Sequence, residues 1–184
     1  MPVKKSLLVI TLFCLTHASL AALPDKNQFG VKITLPLVSQ DPSDLHGYRA
    51  SLFYQPTCLT GSRLALYFDA AFGHWWTKPT IYGGNSLSIY ALSPVLRFYF
   101  NKNRYFSPFV DLSIGLSWLS QTHFSNRRFG MHFAFQDEVS IGGTFGSSQQ
   151  FFVTASTLHY SNGSLAKTNA GITIPLLISL GYRF

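Results

Sequence analysis

The chain has 184 residues, a formal net charge of +7 and only 11% charged residues, against about 25% in an ordinary globular protein. Aromatic residues make up 16% of it, yet past the N-terminal segment it has no run of about 18 apolar residues that would predict a transmembrane helix. The composition therefore argues against a charged, water-soluble domain and against a helical membrane protein, and the basic charge suits an anionic partner.

The first 21 residues have the pattern of a secretory signal peptide. Lys4 and Lys5 precede the apolar run Ser6–Leu15, and Ser19-Leu20-Ala21 offers small residues before a cleavage site. We expect residues 1–21 to be removed and residues 22–184 to form one exported domain. Export argues against nucleic acid as the partner and favours anionic lipid head groups. Cys58 is then the single cysteine left, so no intramolecular disulfide is expected.

Extended segments bounded by turn residues fill the rest of the chain. The eight segments are Phe29–Val38, Gly47–Thr57, Ser62–His74, Leu87–Phe100, Phe106–Leu119, Phe129–Phe145, Gln150–Ser161 and Gly171–Phe184. These segments are longer than the strands of soluble proteins, which usually have about 5–6 residues. They are long enough to cross a bilayer, for which a strand needs about 9–11 residues. Short connections follow the second, fourth and sixth segments, and longer ones follow the others, as in a barrel with a periplasmic N-terminus. We predict an all-β, eight-stranded antiparallel transmembrane β-barrel.

Alternation is clearest in the first and last segments. In the last, one face is predicted to carry Ile172, Ile174, Leu176, Ile178, Leu180, Tyr182 and Phe184, and the other Thr173, Pro175, Leu177, Ser179, Gly181 and Arg183. The aromatic end resembles the C-terminal signature of outer-membrane barrels, which implies recognition by the barrel insertion machinery. His74, Trp75, Trp76 and Trp118 are predicted to form an interfacial aromatic belt. A soluble lipocalin-like barrel would also alternate, but too few charges are available for a water-facing wall.

A histidine and a serine end the seventh segment, at the predicted external rim. His159 and Ser161 are two residues apart, so their side chains share a face of the strand. This is the minimum geometry for a base to activate a hydroxyl nucleophile. Phe151 and Val153 have the same parity, so we expect the pair to face lipid, although a one-residue slip would turn it inward. Taken alone, so short a motif also fits rim residues without chemistry.

The wider pattern is more specific. His159-Tyr160-Ser161-Asn162-Gly163, followed by Asn169-Ala170-Gly171 and a terminal strand, resembles the PagL family of outer-membrane lipid A 3-O-deacylases. The resemblance covers roughly the last third of the chain. It implies a Gram-negative outer-membrane esterase that cleaves the ester at the 3 position of lipid A without a metal or other cofactor. It makes Ser161 the nucleophile and His159 its base, and it puts Asn162, Gly163 and Asn169 where amide donors stabilise an oxyanion. Asn and Gly also suit turns.

One residue departs from the family pattern. The acid that orients the histidine falls at Thr173 here, and threonine carries no charge. The hairpin of the sixth and seventh segments pairs His159 with Gln136, and a one-residue shift in register pairs it with Asp137. We expect Asp137, or less readily Glu138, to replace the acid. The alternative is that both acids are rim residues and that the site is a dyad with reduced activity.

Basic residues fall in the long external connections, namely Lys78, Arg127, Arg128 and Lys167. They suit the phosphates of lipid A, although non-specific binding of lipopolysaccharide is an equal alternative. His46, His123 and His132 have no metal-ligand spacing, so we assign no metal site. The rival function is a non-catalytic small barrel, structural or ligand-binding, with a degenerate motif. Homodimer formation is left open.

Overall fold

A computed structural model describes residues 27–79, 81, 84–103 and 105–184; the predicted signal peptide lies outside them. The strands are β1 (Gln28–Val38), β2 (His46–Gln55), β3 (Leu64–Trp76), β4 (Ser86–Tyr99), β5 (Phe106–Leu119), β6 (His123–Phe124), β7 (Arg127–Arg128), β8 (Phe133–Phe145), β9 (Phe151–Ser161) and β10 (Ile172–Arg183), with a 3₁₀ turn at Thr57–Leu59. The long strands close an antiparallel barrel in the order β1-β10-β9-β8-β5-β4-β3-β2, and β6 pairs with β7. Within the described ranges, no helix is long and apolar enough to cross a membrane.

The predicted barrel and its eight strands are confirmed, with ends within two residues of the predicted ones except at the start of the sixth predicted segment. That strand, β8, begins at Phe133 instead of Phe129. Gly130 has a φ of 73°, which breaks the extended run before it reaches the barrel. The residues between β5 and β8 form the small β6–β7 hairpin, and Phe129 is fully buried against the external end of the interior.

The outer wall is apolar and the interior is largely polar, the reverse of a soluble barrel. On β1, Phe29, Ile33 and Leu37 point outward with 51%, 51% and 63% of their surface exposed. The alternating residues Lys32 and Thr34 are buried inside. Such a wall is stable in lipid and costly in water, because each exposed apolar side chain would lose its transfer free energy.

The interior is packed with two apolar clusters and a set of ion pairs. One cluster lies towards the long connections and the other towards the short turns. Lys32 pairs with Asp69 at 2.7 Å, Arg49 with Glu138 at 3.0 Å, and Arg97 with Asp111 at 2.7 Å. The mid-barrel cavity beside these pairs has a volume of only about 10 Å³, room for about one water.

The predicted aromatic belt is correct for two of its three tryptophans. Trp76 and Trp118 point outward, and Trp118 stacks on His132 with 5.3 Å between ring centroids. Trp75 instead points inward and is fully buried in the external apolar cluster. Adjacent residues of a strand face opposite sides, so His74 and Trp76 cannot share a face with Trp75.

A β-bulge in β10 overturns the predicted faces of its first half. Ile174 pairs with Leu158, but the next pair is Leu177 with Ser156. Pro175 lies at this shift and has no N–H to continue the ladder. Ile172 and Ile174 therefore face the interior, fully buried, whereas Leu180 faces out with 63% of its surface exposed.

Candidate active site

The His–Ser pair lies on the outer wall at the end of β9, next to the long external connections. His159 and Ser161 are both half-buried, while their neighbours Leu158 and Tyr160 point inward and are fully buried. The strand reaches this rim with Phe151 and Val153 exposed on the same face, which gives the pair the outward orientation expected from parity.

His159 lies between an acid and a hydroxyl on the neighbouring strands. On β8 it faces Asp137, because the register of the hairpin is shifted by one residue from the pairing with Gln136. On β10 it faces Thr173, whose Oγ1 lies 2.9 Å from His159 Nδ1. The bulge at Pro175 makes this contact possible, since unbroken pairing would turn Thr173 to the interior.

The two acids weighed for the site face opposite ways. Glu138 points into the barrel, where its Oε2 accepts a hydrogen bond from Arg49 at 3.0 Å. It therefore cannot reach His159, and its assignment as a replacement acid is wrong. Asp137 points outward beside His159 and is half-buried. Among the described residues, the Asp137 carboxylate accepts no hydrogen bond and forms no ion pair, so no other group holds it away from His159.

Gly171 supports the reactive edge of the imidazole. Its φ of 60° is in the left-handed region that favours glycine. A Cβ at this position would lie 3.1 Å from His159 Cε1 and 3.6 Å from Nε2. Extending the β9–β10 register by one step puts Gly171 opposite Ser161. No direct hydrogen bond joins His159 to Ser161 in the described part of the chain.

Asn162 is a structural centre of the β9–β10 connection. Its buried Nδ2 donates to the carbonyls of Phe129 and Thr168, and its Oδ1 accepts from the Ser164 N–H at 2.9 Å. Both donors of the amide group are thereby used. The backbone N–H of Asn162 also donates to Asn169 Oδ1 at 2.8 Å.

Asn169 and Gly163 are the better placed donors of this connection. The bond from Asn162 fixes Asn169 Oδ1, and the exposed Nδ2 group has no hydrogen-bond partner among the described residues. Gly163 has a φ of 60°, and a Cβ there would lie 2.9 Å from the ring of Phe135. Phe135 is the β8 neighbour of Ser161, so the absence of a side chain at Gly163 lets the connection approach the Phe135 ring closely.

Asp41, which the sequence analysis did not single out, ties three external connections together. Its backbone N–H donates to the Thr173 carbonyl at 3.3 Å and its carbonyl accepts from Thr173 N–H at 3.1 Å. Its carboxylate forms an ion pair with Arg127. Arg127 Nη1 in turn donates to the Ala170 carbonyl at 3.1 Å. The pairing of Asp41 with Thr173 joins residues that are distant in the sequence, so no local sequence pattern predicts it.

The four basic residues proposed for a head group are not all near the site. Arg128 is exposed on the β6–β7 hairpin, and its carbonyl accepts the Ala170 N–H at 3.1 Å. Lys167 is exposed in the β9–β10 connection. Arg127 is engaged by Asp41. Lys78 lies between β3 and β4, on the opposite side of the barrel from β9 and β10, so the structure does not bring it to the His–Ser pair.

Sequence comparisons with known proteins find relatives of this chain. Residues 46–183 match the sequence model of the family described as lipid A 3-O-deacylase (PagL). The lipid A deacylase PagL of Bordetella bronchiseptica is 25% identical over 146 residues, which is 76% of this chain and 78% of that protein.

Solved outer-membrane barrels share the fold. The crystal structure of the outer membrane enzyme PagL aligns with a TM-score of 0.62 and 22% identity, over 84% of this chain and 98% of that one. Neisserial surface protein A aligns with a TM-score of 0.57 and 9% identity, over 86% and 97% of the two chains.

Proposed function

The chain belongs to the PagL family of lipid A 3-O-deacylases, and we propose that it removes the 3-O-linked acyl chain from lipid A by serine–histidine chemistry. It is an eight-stranded barrel of the outer membrane. The observation that carries the mechanism is the outward pair His159 and Ser161 at the external rim of an apolar wall, with His159 Nδ1 held by Thr173. Lipid A of the outer leaflet meets the barrel at this level.

The pair supplies a base and a nucleophile. In the tautomer that this mechanism uses, Nδ1–H of His159 donates to the Thr173 hydroxyl 2.9 Å away, and Nε2 is the acceptor nitrogen of the neutral ring. Nε2 takes the proton of Ser161 as Oγ attacks the ester carbonyl, and then returns it to the departing 3-oxygen of the sugar. The acyl group is left on Ser161. Water, deprotonated by the same Nε2, then attacks the acyl-enzyme ester, and the imidazolium returns the proton to the departing Ser161 Oγ as the fatty acid is released.

The two tasks of the family's acid are divided between two side chains. Thr173 orients the imidazole, and Asp137 supplies the negative charge from the other neighbouring strand. A carboxylate about 6 Å from an imidazolium is worth about 3 kcal/mol at an effective dielectric constant of about 20. Solvent at the rim reduces this to at most about 1 kcal/mol. We therefore expect turnover below that of relatives whose histidine is bonded directly to an acid.

The oxyanion of the tetrahedral intermediate is stabilised by Asn169 Nδ2 and by the backbone N–H of Gly163. Asn162 contributes indirectly, since its own amide donors are used and its N–H fixes Asn169. Loss of one oxyanion donor typically lowers turnover by about 10²–10³-fold. Asn169→Ala should therefore lower turnover by that amount in a folded barrel.

Arg128 and Lys167 are the basic side chains that we propose for the lipid A phosphates. Both are exposed and lie in the two connections that meet at Ala170. Arg127 acts by holding these connections together through Asp41. Head-group binding therefore depends on the β6–β7 hairpin and on the β9–β10 connection.

The test is the mass of lipid A in a Gram-negative host that expresses the chain. An active enzyme lowers that mass by one hydroxyacyl chain, and Ser161→Ala abolishes the change. Ser164→Ala is the matched control, because it removes an exposed hydroxyl from the same connection. A correctly inserted wild-type barrel that leaves lipid A unchanged would favour the non-catalytic alternative.

A further inference from the structure

A polar cavity of about 290 Å³ opens at the end of the barrel opposite the candidate active site. Arg183 from β10, Lys102 from the β4–β5 turn, and Ser147 and Ser148 from the β8–β9 turn line it. Its described lining contains no aspartate or glutamate. The volume is far larger than the roughly 30 Å³ that one water occupies in the liquid, so a five-atom oxyanion fits with several waters.

Arg183 is the feature that marks this cavity as a binding site. The side chain points into the barrel with only 8% of its surface exposed. Its Nε and Nη2 atoms are buried and have no hydrogen-bond partner among the described residues. A buried guanidinium with unpaired donors is costly, because the desolvated N–H groups lose their bonds to water without replacement. A bound anion would satisfy them in the forked geometry that arginine prefers.

A second cation reinforces the positive potential. Lys102 donates through Nζ to the Gly61 carbonyl at 2.8 Å and lies 4.4 Å from the centre of the Tyr99 ring. Burial, together with repulsion from Arg183 and Arg97, lowers the pKa of Lys102. Arg97 is already neutralised by Asp111, so among the described residues that line the cavity, Arg183 and Lys102 are the cations available to an incoming anion.

Two buried acceptors in the same cavity indicate that the anion carries a proton. The Oε1 atoms of Gln28 and Gln55, which are cross-strand neighbours, have no hydrogen-bond donor among the described residues. The amide orientation of Gln55 is fixed, because Thr60 Oγ1 donates to the Pro56 carbonyl and so accepts from Gln55 Nε2. A ligand that satisfies both ends of the cavity therefore has oxyanion acceptors for Arg183 and an O–H donor for the glutamines.

We propose that this cavity binds a phosphate group that retains an O–H, supplied either as inorganic phosphate or as the monoanion of a phosphate monoester. Arg183 and Lys102 bind the charged oxygens, and the glutamine carbonyls accept the P–O–H. Sulfate has the same shape but no proton at neutral pH, so the site discriminates against it. The site is independent of the chemistry at the outer rim.

Isothermal titration of the folded full barrel in dodecyl maltoside tests the proposal, at constant ionic strength in chloride. We expect inorganic phosphate to bind at one per chain and sulfate to bind at least about tenfold more weakly, as for the loss of one charge-assisted hydrogen bond. Glycerol 3-phosphate distinguishes the sources: tighter binding than inorganic phosphate identifies a monoester, and weaker binding identifies the free ion.

Two variants and one control complete the test. Arg183→Gln and Lys102→Gln should each weaken phosphate binding at least about tenfold. Folding of each variant is judged by heat-modifiable migration on gels. If Arg183→Gln fails to fold, Lys102→Gln still tests the site, because Lys102 lies in a turn outside the barrel wall. Arg63→Gln removes an exposed cation at the same end, outside the cavity lining, and should leave binding unchanged. Absence of phosphate binding, equal binding of sulfate, or undiminished binding in a folded variant would overturn the proposal.

Discussion

Thr173→Val tests whether a hydroxyl does the orienting work of the family's acid. Valine keeps the shape and the strand preference of threonine, and the backbone pairing of Thr173 with Asp41 is retained. The change removes the acceptor that lies 2.9 Å from His159 Nδ1. A neutral hydrogen bond is worth about 1 kcal/mol net and one to a charged group about 1.5–3 kcal/mol. The bond therefore strengthens by about 0.5–2 kcal/mol, with a midpoint of about 1.3 kcal/mol, as the imidazole gains its proton in the transition state.

That difference corresponds to a loss of about tenfold in kcat/KM. The assay is the rate of conversion of purified lipid A by the barrel in detergent, followed by mass spectrometry and normalised to the folded fraction. Thr173→Ser, which keeps Oγ and loses only the methyl group, should retain most of the activity. Equal rates for Thr173→Val and wild type would refute the orienting role.

Three further outcomes follow from the structure. Asp137→Asn removes a charge at nearly constant size and should lower deacylation by up to about fivefold; an unchanged rate would contradict the proposal that this carboxylate assists catalysis. Gly171→Ala puts a Cβ 3.1 Å from Cε1 of His159 and strains the backbone by about 1–2 kcal/mol. We expect at least about tenfold slower deacylation from this folded variant, and full activity would contradict the contact. Arg97→Met leaves Asp111 buried without its cation and should cost about 3–5 kcal/mol of stability in urea titrations of the lipid-inserted barrel. The double variant with Asp111→Leu should recover most of that loss.

Strand positions were predictable because an apolar wall imposes alternation on every segment. β5 begins and ends at the predicted residues, and Phe151 and Val153 have the outward orientation that alternation indicates. The outward direction of His159 and Ser161 follows from the same parity. Alternation extends over a whole strand, so the predicted direction of each side chain does not depend on errors of one or two residues at the strand ends.

Irregular pairing was not predictable from alternation. The alternation of apolar residues in β10 is uninterrupted in sequence, and only the missing N–H of Pro175 accounts for the shift that turns Ile172 and Ile174 inward. The link between Asp41 and Thr173 depends on how two connections fold over the rim. Such contacts join residues that are distant in the sequence, so no local pattern predicts them. The ion pair of Glu138 with Arg49 likewise forms only when the barrel closes.

The packed interior has a kinetic consequence for the proposed enzyme. With a mid-barrel cavity of about 10 Å³, neither lipid nor a column of water passes through the lumen. Substrate and both products must then travel in the plane of the membrane, around the outside of the wall. The rate depends on the mole fraction of lipid A in the leaflet, not on its bulk concentration. Water, the second substrate, enters only from the aqueous side of the rim, so turnover is sensitive to how closely neighbouring lipopolysaccharide packs against β9.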